Sequence, residues 1–154
     1  MKKFELTGET KLWFGRTLHR IRALVAFGDV DVGELGGWIE NESNLDQSGD
    51  AWVYGDARVS GDARVSGNAW VYGDARVYER RAIMWISVIG SRNDTVTFFA
   101  CKGGIIGVTV GCFHGSIDEF AEEVRKTHGD NEHAQAYMIA IELAKLRVKV
   151  EVPA

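Results

Sequence analysis

The residues best suited to chemistry are four histidines, two cysteines and two polar loops. The loops are residues 91–94 (Ser-Arg-Asn-Asp) and 128–131 (His-Gly-Asp-Asn), which concentrate donors, acceptors and glycine. A helix start near Ser116, with His114 beside it, would attract an anion through its unpaired backbone N–H groups. Turn chemistry and helix capping account for Asn93, Asp94, Gly129, Asp130 and Asn131. Arg92 and His114 are less fully explained that way, so they are the first choices for contacting an anion. Asn93, His128, Asp130 and Asn131 complete the candidate set. Cys101 and Cys112 show no C-x-x-C or Cys/His spacing, so neither a metal site nor a disulfide framework is expected. They read as small buried hydrophobes in a reducing compartment. No P-loop, G-x-S-x-G, H-E-x-x-H or Rossmann pattern occurs, and no catalytic residue, metal or cofactor is assigned.

Two further groups are candidates for contact. Lys11, Arg16, Arg20 and Arg22 lie in a stretch that contains His19 and no acid from 11 to 25. That stretch could hold an anion, but a solvated face of a capping segment explains it as well. Trp52 and Trp70, with Tyr54 and Tyr72, are expected to form an outward aromatic step serving as a partner or subunit interface.

Those aromatics owe their spacing to a repeat. From Gly49 to Tyr78 the chain reads GDAWVY, GDARVS, GDARVS, GNAWVY and GDARVY without a gap. In each unit Ala and Val alternate to one side, the middle residue points to the other, and Gly-Asp or Gly-Asn makes the turn. Three-residue strands joined by such turns predict a triangular parallel β-solenoid with three units per coil. A second period of 18 agrees with this, since Trp52 and Trp70, Tyr54 and Tyr72, and Arg58 and Arg76 all stand 18 apart. Extended backwards, it sets Glu40 against Arg58 and Asp46 against Arg64, giving the outward arginines a structural job. Fewer than three coils are present, so the stub must be capped or assembled.

The flanks read as caps. Residues 17–27 alternate as a strand, with Ile21, Ala23 and Val25 on one side. After Tyr78 the composition changes. Residues 85–89, 95–101 and 105–112 read as three strands joined by turn sequences. Ser116 and Glu119 form a capping box for a helix carrying Ile117, Phe120, Ala121 and Val124. Gly129 ends it, and Asp130 or Asn131 caps a second helix with Ala134, Tyr137, Met138 and Ile141 on one face. Val148, Val150 and Val152 alternate as a last strand. The expected organisation is mainly β: a β cap over residues 1–30, the solenoid over 31–78, and a C-terminal β-β-β-α-α-β domain over 79–154.

Composition bounds the rest. The 154 residues suit one compact unit, and a net charge of −4 argues against broad, nonspecific nucleic-acid binding. The apolar runs fall well short of the roughly 18 residues a membrane helix needs, and residues 1–5 lead into no apolar signal region. A cytoplasmic location is expected.

The segments His19-Arg20-Ile21-Arg22-Ala23, Phe27-Gly28-Asp29-Val30, Leu35-Gly36-Gly37-Trp38-Ile39-Glu40 and the Gly-Asp-Ala-Trp-Val units resemble bacterial and phage β-solenoid proteins. The pieces 90–95, 111–115 and 128–131 resemble a domain fused to such repeats in phage and prophage proteins. The repeats are also similar to the hexapeptide repeats of left-handed β-helix acyltransferases, which implies a left-handed coil. That match is loose, because the glycine falls two residues after the inward Val. An acyltransferase needs a general-base histidine, and the solenoid segment has none. The resemblance implies a phage-type accessory protein, here expected to form a homo-oligomer and act by non-catalytic binding. Its expected target is a host protein or a small anionic ligand such as a nucleotide signal, in counter-defence. A virion or scaffold component is the alternative, and an acyltransferase stands behind both.

Overall fold

The computed structural model describes residues 1–150, in which the chain is mainly β with two helices. Its first element is a hairpin of β1 (Phe4–Trp13) and β2 (Arg16–Ala23). The turn is Phe14-Gly15, with φ of 48° and 75°, a mirror-image turn that suits the twist of paired strands. β1 is a strand that the sequence reading did not anticipate. Its middle is largely polar, and it is an edge that only β2 pairs.

β2 continues antiparallel onto β3 (Leu35–Ile39). From there pairing turns parallel, with β3 against β5 (Arg58–Val59) and β5 against β7 (Arg76–Val77). A second parallel pair joins β4 (Trp52–Val53) to β6 (Trp70–Val71), and Leu45 meets Val65 in a parallel bridge. Ala51, Val53, Ala57, Val59, Ala63, Val65, Ala69, Val71, Ala75 and Val77 point inward and are fully buried. The repeat glycines Gly49, Gly55, Gly61, Gly67 and Gly73 all turn with φ between 56° and 71°, a region glycine enters without steric cost.

The coils are not of one length. Trp52 sits on Trp70 and Arg58 on Arg76, both 18 apart, whereas Trp38 sits on Arg58 and Leu45 on Val65, both 20 apart. The two extra residues fall between Leu45 and Gly49, since Gly49 again packs on Gly67. Glu40 is therefore not matched to Arg58 as the 18-residue register predicted. It lies 4.0 Å from Arg16 and accepts a hydrogen bond from the Gly61 N–H, while Arg58 lies over the Trp13 ring. Asp46 makes no ion pair with Arg64, which only adds to the forces that hold its carboxyl below the usual range. The largest of these is the Ser48 N–H.

The inserted corner is where the N-terminus is fastened. The Gln47 side-chain carbonyl accepts from the Lys3 and Phe4 N–H groups at 2.7 and 3.2 Å. The buried Lys3 Nζ donates to the Ala51 carbonyl at 2.7 Å, with the Ser48 and Gly49 carbonyls at 3.5 and 3.4 Å. Burial lowers the Lys3 pKa, opposed by Asp46 and Asp50. Asn44 is buried with its amide satisfied by the Gly61 and Ala63 carbonyls and the Asn41 N–H. A buried amide that is fully bonded costs little and holds one register.

The C-terminal part is a four-stranded antiparallel sheet in the order β11, β10, β9, β8. These are β8 (Ile83–Ile89), β9 (Asp94–Cys101), β10 (Ile105–Val110) and β11 (Phe113–Ser116). Helices α1 (Ile117–His128) and α2 (Glu132–Arg147) follow. The expected β-β-β-α-α-β order thus gains a fourth strand before the helices. β11 is short, polar and contains Gly115, which hid it among turn residues. The expected last strand is absent over 148–150, where Val148 packs into the helix core and Lys149 N–H donates once, to the Arg81 carbonyl. The rest of that expected strand, with Val152, lies outside the described residues.

β9 is nearly all buried because it is sandwiched. Val96 and Phe98 pack with the helices, while Phe99 and Ala100 join the core of the coils. Thr97 and Thr109 bond the backbone of Trp70, and Lys102 N–H bonds the Asp74 carbonyl. Among the described residues, the hairpin and the C-terminal sheet therefore pack onto the coils within one chain.

Candidate ligand clefts at the seam

The 18-residue period sets Trp52 directly over Trp70, but the two have different fates. Trp52 is 0% exposed, covered edge-on by Phe4 and Phe27 with ring centroids at 6.4 and 5.2 Å. It is core, not the exposed interface residue expected, because the cap brings two phenyl rings onto it from distant sequence. Its indole Nε1 is buried without a hydrogen-bond partner among the described residues.

Trp70 is half-buried and rigidly held. Its N–H donates to Thr97 Oγ1 at 3.1 Å, its carbonyl accepts from Thr109 Oγ1 at 2.7 Å, and its Nε1 donates to the Asp50 carbonyl at 3.2 Å. From it a ladder of rings runs along the seam. Tyr54 lies 5.2 Å from Trp70 and 6.1 Å from Tyr72, and Tyr72 lies 4.6 Å from His114. Tyr72 and His114 are exposed.

Carboxylates flank this ladder. Asp29, Asp50 and Asp94 line a cleft of about 330 Å³ with Trp70, Thr95 and Thr109. Asp74 and Lys102 line a second cleft, of about 290 Å³, with Tyr72 and His114. Burial pushes the Tyr54 hydroxyl up to about 12, and the negative charges of Glu34 and Asp29 add to it. The side of the ladder near Trp70 is therefore electronegative, which disfavours an anion there and favours a cation. Cys101, in the second cleft, has its thiol pushed up to about 11 by burial and by Asp74, so it is a poor nucleophile. Cys112 is exposed and lines the first cleft, so it is not the buried hydrophobe expected.

The anion candidates separate. Arg92 and His128 line a third cleft, of about 340 Å³, together with Asp94, Glu123 and Tyr137. His128 stacks on Tyr137 at 6.2 Å and faces His133 at 5.5 Å. His114 belongs to the ladder instead. Asn93 takes a left-handed turn with φ 51°. Asn131 caps α2 by accepting from the Ala134 N–H, and the Asp130 carbonyl accepts from Gln135. Asn93 and Asn131 thus do the turn and capping work that residues of their type ordinarily do, while Asp130 contributes its backbone carbonyl. The basic stretch is likewise occupied: Lys11 pairs with Asp56, Arg16 with Glu40, Arg20 with Glu9 and Arg22 with Glu5. No group of three or more His, Cys, Asp or Glu among the described residues is placed to hold a metal.

The YdcK β-solenoid repeat family matches residues 51–67 and 57–73, two overlapping windows inside the clean repeat. The match supports the β-solenoid repeat that the parallel pairings display. No curated protein matches the chain. No helix among the described residues is long and apolar enough to cross a membrane.

Proposed function

We propose that this chain acts by non-catalytic binding, as a phage-type accessory protein that docks a cationic segment of a host protein on the acid-flanked aromatic ladder. Three parallel pairing sites per coil support a triangular cross-section, and resemblance supports a left-handed turn. The coil serves to hold Tyr54, Trp70 and Tyr72 in fixed array. One observation carries the reading: a run of four neighbouring rings in tilted contact, two of them exposed, bordered by Asp29, Asp50 and Asp74. A guanidinium or ammonium gains from an aromatic face and from nearby carboxylates together, each contribution growing as water is excluded. Occupying a partner's basic segment would block that segment, which is how the proposed counter-defence role would be exerted. The protein is proposed to do this as a homo-oligomer.

A second reading has an observation of its own. Arg92 and His128 share one cleft, a pair suited to phosphate, so a nucleotide signal would be sequestered there and not on the ladder. Calorimetric titration with an oligo-arginine peptide and with a nucleoside diphosphate separates the two. Peptide binding lost in Trp70→Ala and kept in Arg92→Ala supports the ladder. Nucleotide binding lost in Arg92→Ala supports the second reading. A wild-type protein that takes up no peptide sinks the first.

A further inference from the structure

The two helices differ in the face they turn outward. α1 keeps Asp118, Glu119, Glu122, Glu123, Arg125 and Lys126 exposed, as a helix packed on one side does. α2 buries Ala134, Tyr137, Ala140, Ile141 and Ala144 against the sheet and α1, yet it also exposes Ile139 (71%), Leu143 (43%) and Leu146 (76%). These three stand at i, i+4 and i+7, so they form one stripe opposite the buried face. Nothing in the packing of the described residues explains three large aliphatics there.

The charges at the ends of the stripe say what covers it. Glu132 opens α2 at the N-terminal end of this face, and Arg147 closes it beside the C-terminal end. Both are exposed, and among the described residues neither makes an ion pair within the chain. Laid antiparallel on a second α2, each Glu132 comes within side-chain reach of the other copy's Arg147, at both ends at once. Ile139 then meets the second copy's Leu143. A parallel pairing would set Glu132 on Glu132 and Arg147 on Arg147. Side by side, antiparallel helix dipoles attract and parallel ones repel, which favours the same arrangement.

We propose that the outward stripe of α2, Ile139, Leu143 and Leu146, is a two-fold dimer interface that takes the antiparallel α2 of a second copy. This deepens the assembly part of the proposed function and is independent of the ladder. It also moves the interface away from the solenoid aromatics, where the repeat had suggested it. A two-fold contact is self-complementary by construction, which the Glu132 and Arg147 pair satisfies. A contact of one helix on one helix falls at the small end of interface sizes, so the dimer forms at micromolar concentrations and above, not irreversibly.

Sedimentation equilibrium of the full chain over a concentration series tests this. The wild type should pass from the mass of one chain to that of two. Leu143→Glu should stay at one chain with an unchanged far-UV circular dichroism spectrum, because the side chain is exposed. Ile139→Gln provides the same readout should Leu143→Glu disturb folding. Glu132→Arg and Arg147→Glu should each weaken association about tenfold, and the double exchange should restore it. A wild type held at one chain throughout overturns both the assembly reading and this surface. A wild type that assembles equally well with Leu143→Glu and Ile139→Gln overturns the surface alone. Single exchanges that weaken without recovery in the double variant overturn the antiparallel arrangement.

Discussion

Replacing Trp52 by alanine separates a core role from a surface role more sharply than any other change. The side chain is 0% exposed and is wedged between the coil and the rings of Phe4 and Phe27. Truncating a buried Trp costs about 3–5 kcal/mol, counting lost transfer energy and the cavity left behind. Its indole N–H is buried without a partner, which offsets part of that, since such a group costs about 1–3 kcal/mol to bury. A net loss of about 2 kcal/mol follows, and at about 2–4 °C per kcal/mol for a chain of this size the midpoint should fall by about 4–8 °C. Trp52→Phe keeps an aromatic ring in the slot and removes the unpaired N–H, so it should cost less than about 1.5 kcal/mol. Trp70→Ala loses a half-buried ring and one hydrogen bond, and should fall between the two. Thermal unfolding by circular dichroism and urea titration read all three. A Trp52→Ala protein melting within about 2 °C of wild type would refute the packing of the cap on the coil.

Two other outcomes are expected. Gly61 and Gly55 turn alike, at φ 65° and 56°, but a methyl on Gly61 meets the Tyr78 carbonyl whereas one on Gly55 meets open space. Gly55→Ala should therefore cost only the backbone strain of about 1–2 kcal/mol, and Gly61→Ala clearly more; equal midpoints would contradict the coil contact. Ultraviolet titration should find Tyr54 ionising at about 12, above the ordinary 10, with Tyr137 also raised by burial and by Asp94. With the folded value raised, its contribution is fully present below pH 10 and is lost as pH rises towards 12, a slope that Tyr54→Phe reduces while Tyr137 and Cys101, raised in the same direction, keep the rest. A Tyr54→Phe protein with an unchanged alkaline slope would show that the hydroxyl is not so placed.

The periods in the sequence translated directly into pairing where the repeat is clean. Trp52 on Trp70 and Arg58 on Arg76 follow from an 18-residue coil, and the helix starts follow from Ser116 with Glu119 and from Asn131. The same arithmetic failed in the first coil, because the degenerate stretch around Gln47 holds two extra residues that no local pattern announces. Their purpose is visible only in space, as the seat for Lys3 and Phe4. Outward alternation was right for Trp52, but exposure did not follow from it, since what covers the ring comes from Phe4 and Phe27. The candidate site was half legible. Trp70, Tyr54 and Tyr72 could be read as a ladder from their spacing, whereas His114 joined it only through β11, a strand too short and polar to detect. That Arg92 and His128 line one cleft follows only from how α1 lies across the sheet.

Calorimetric titration of an oligo-arginine peptide into the wild type and into Trp70→Ala and Tyr72→Ala tests the central proposal most directly, with an oligo-glutamate peptide of equal length as control. The account predicts binding of the cationic peptide alone, weakened about tenfold or more in each variant and falling as salt is raised. Equal affinity for both peptides, or cationic binding that neither variant changes, would contradict it.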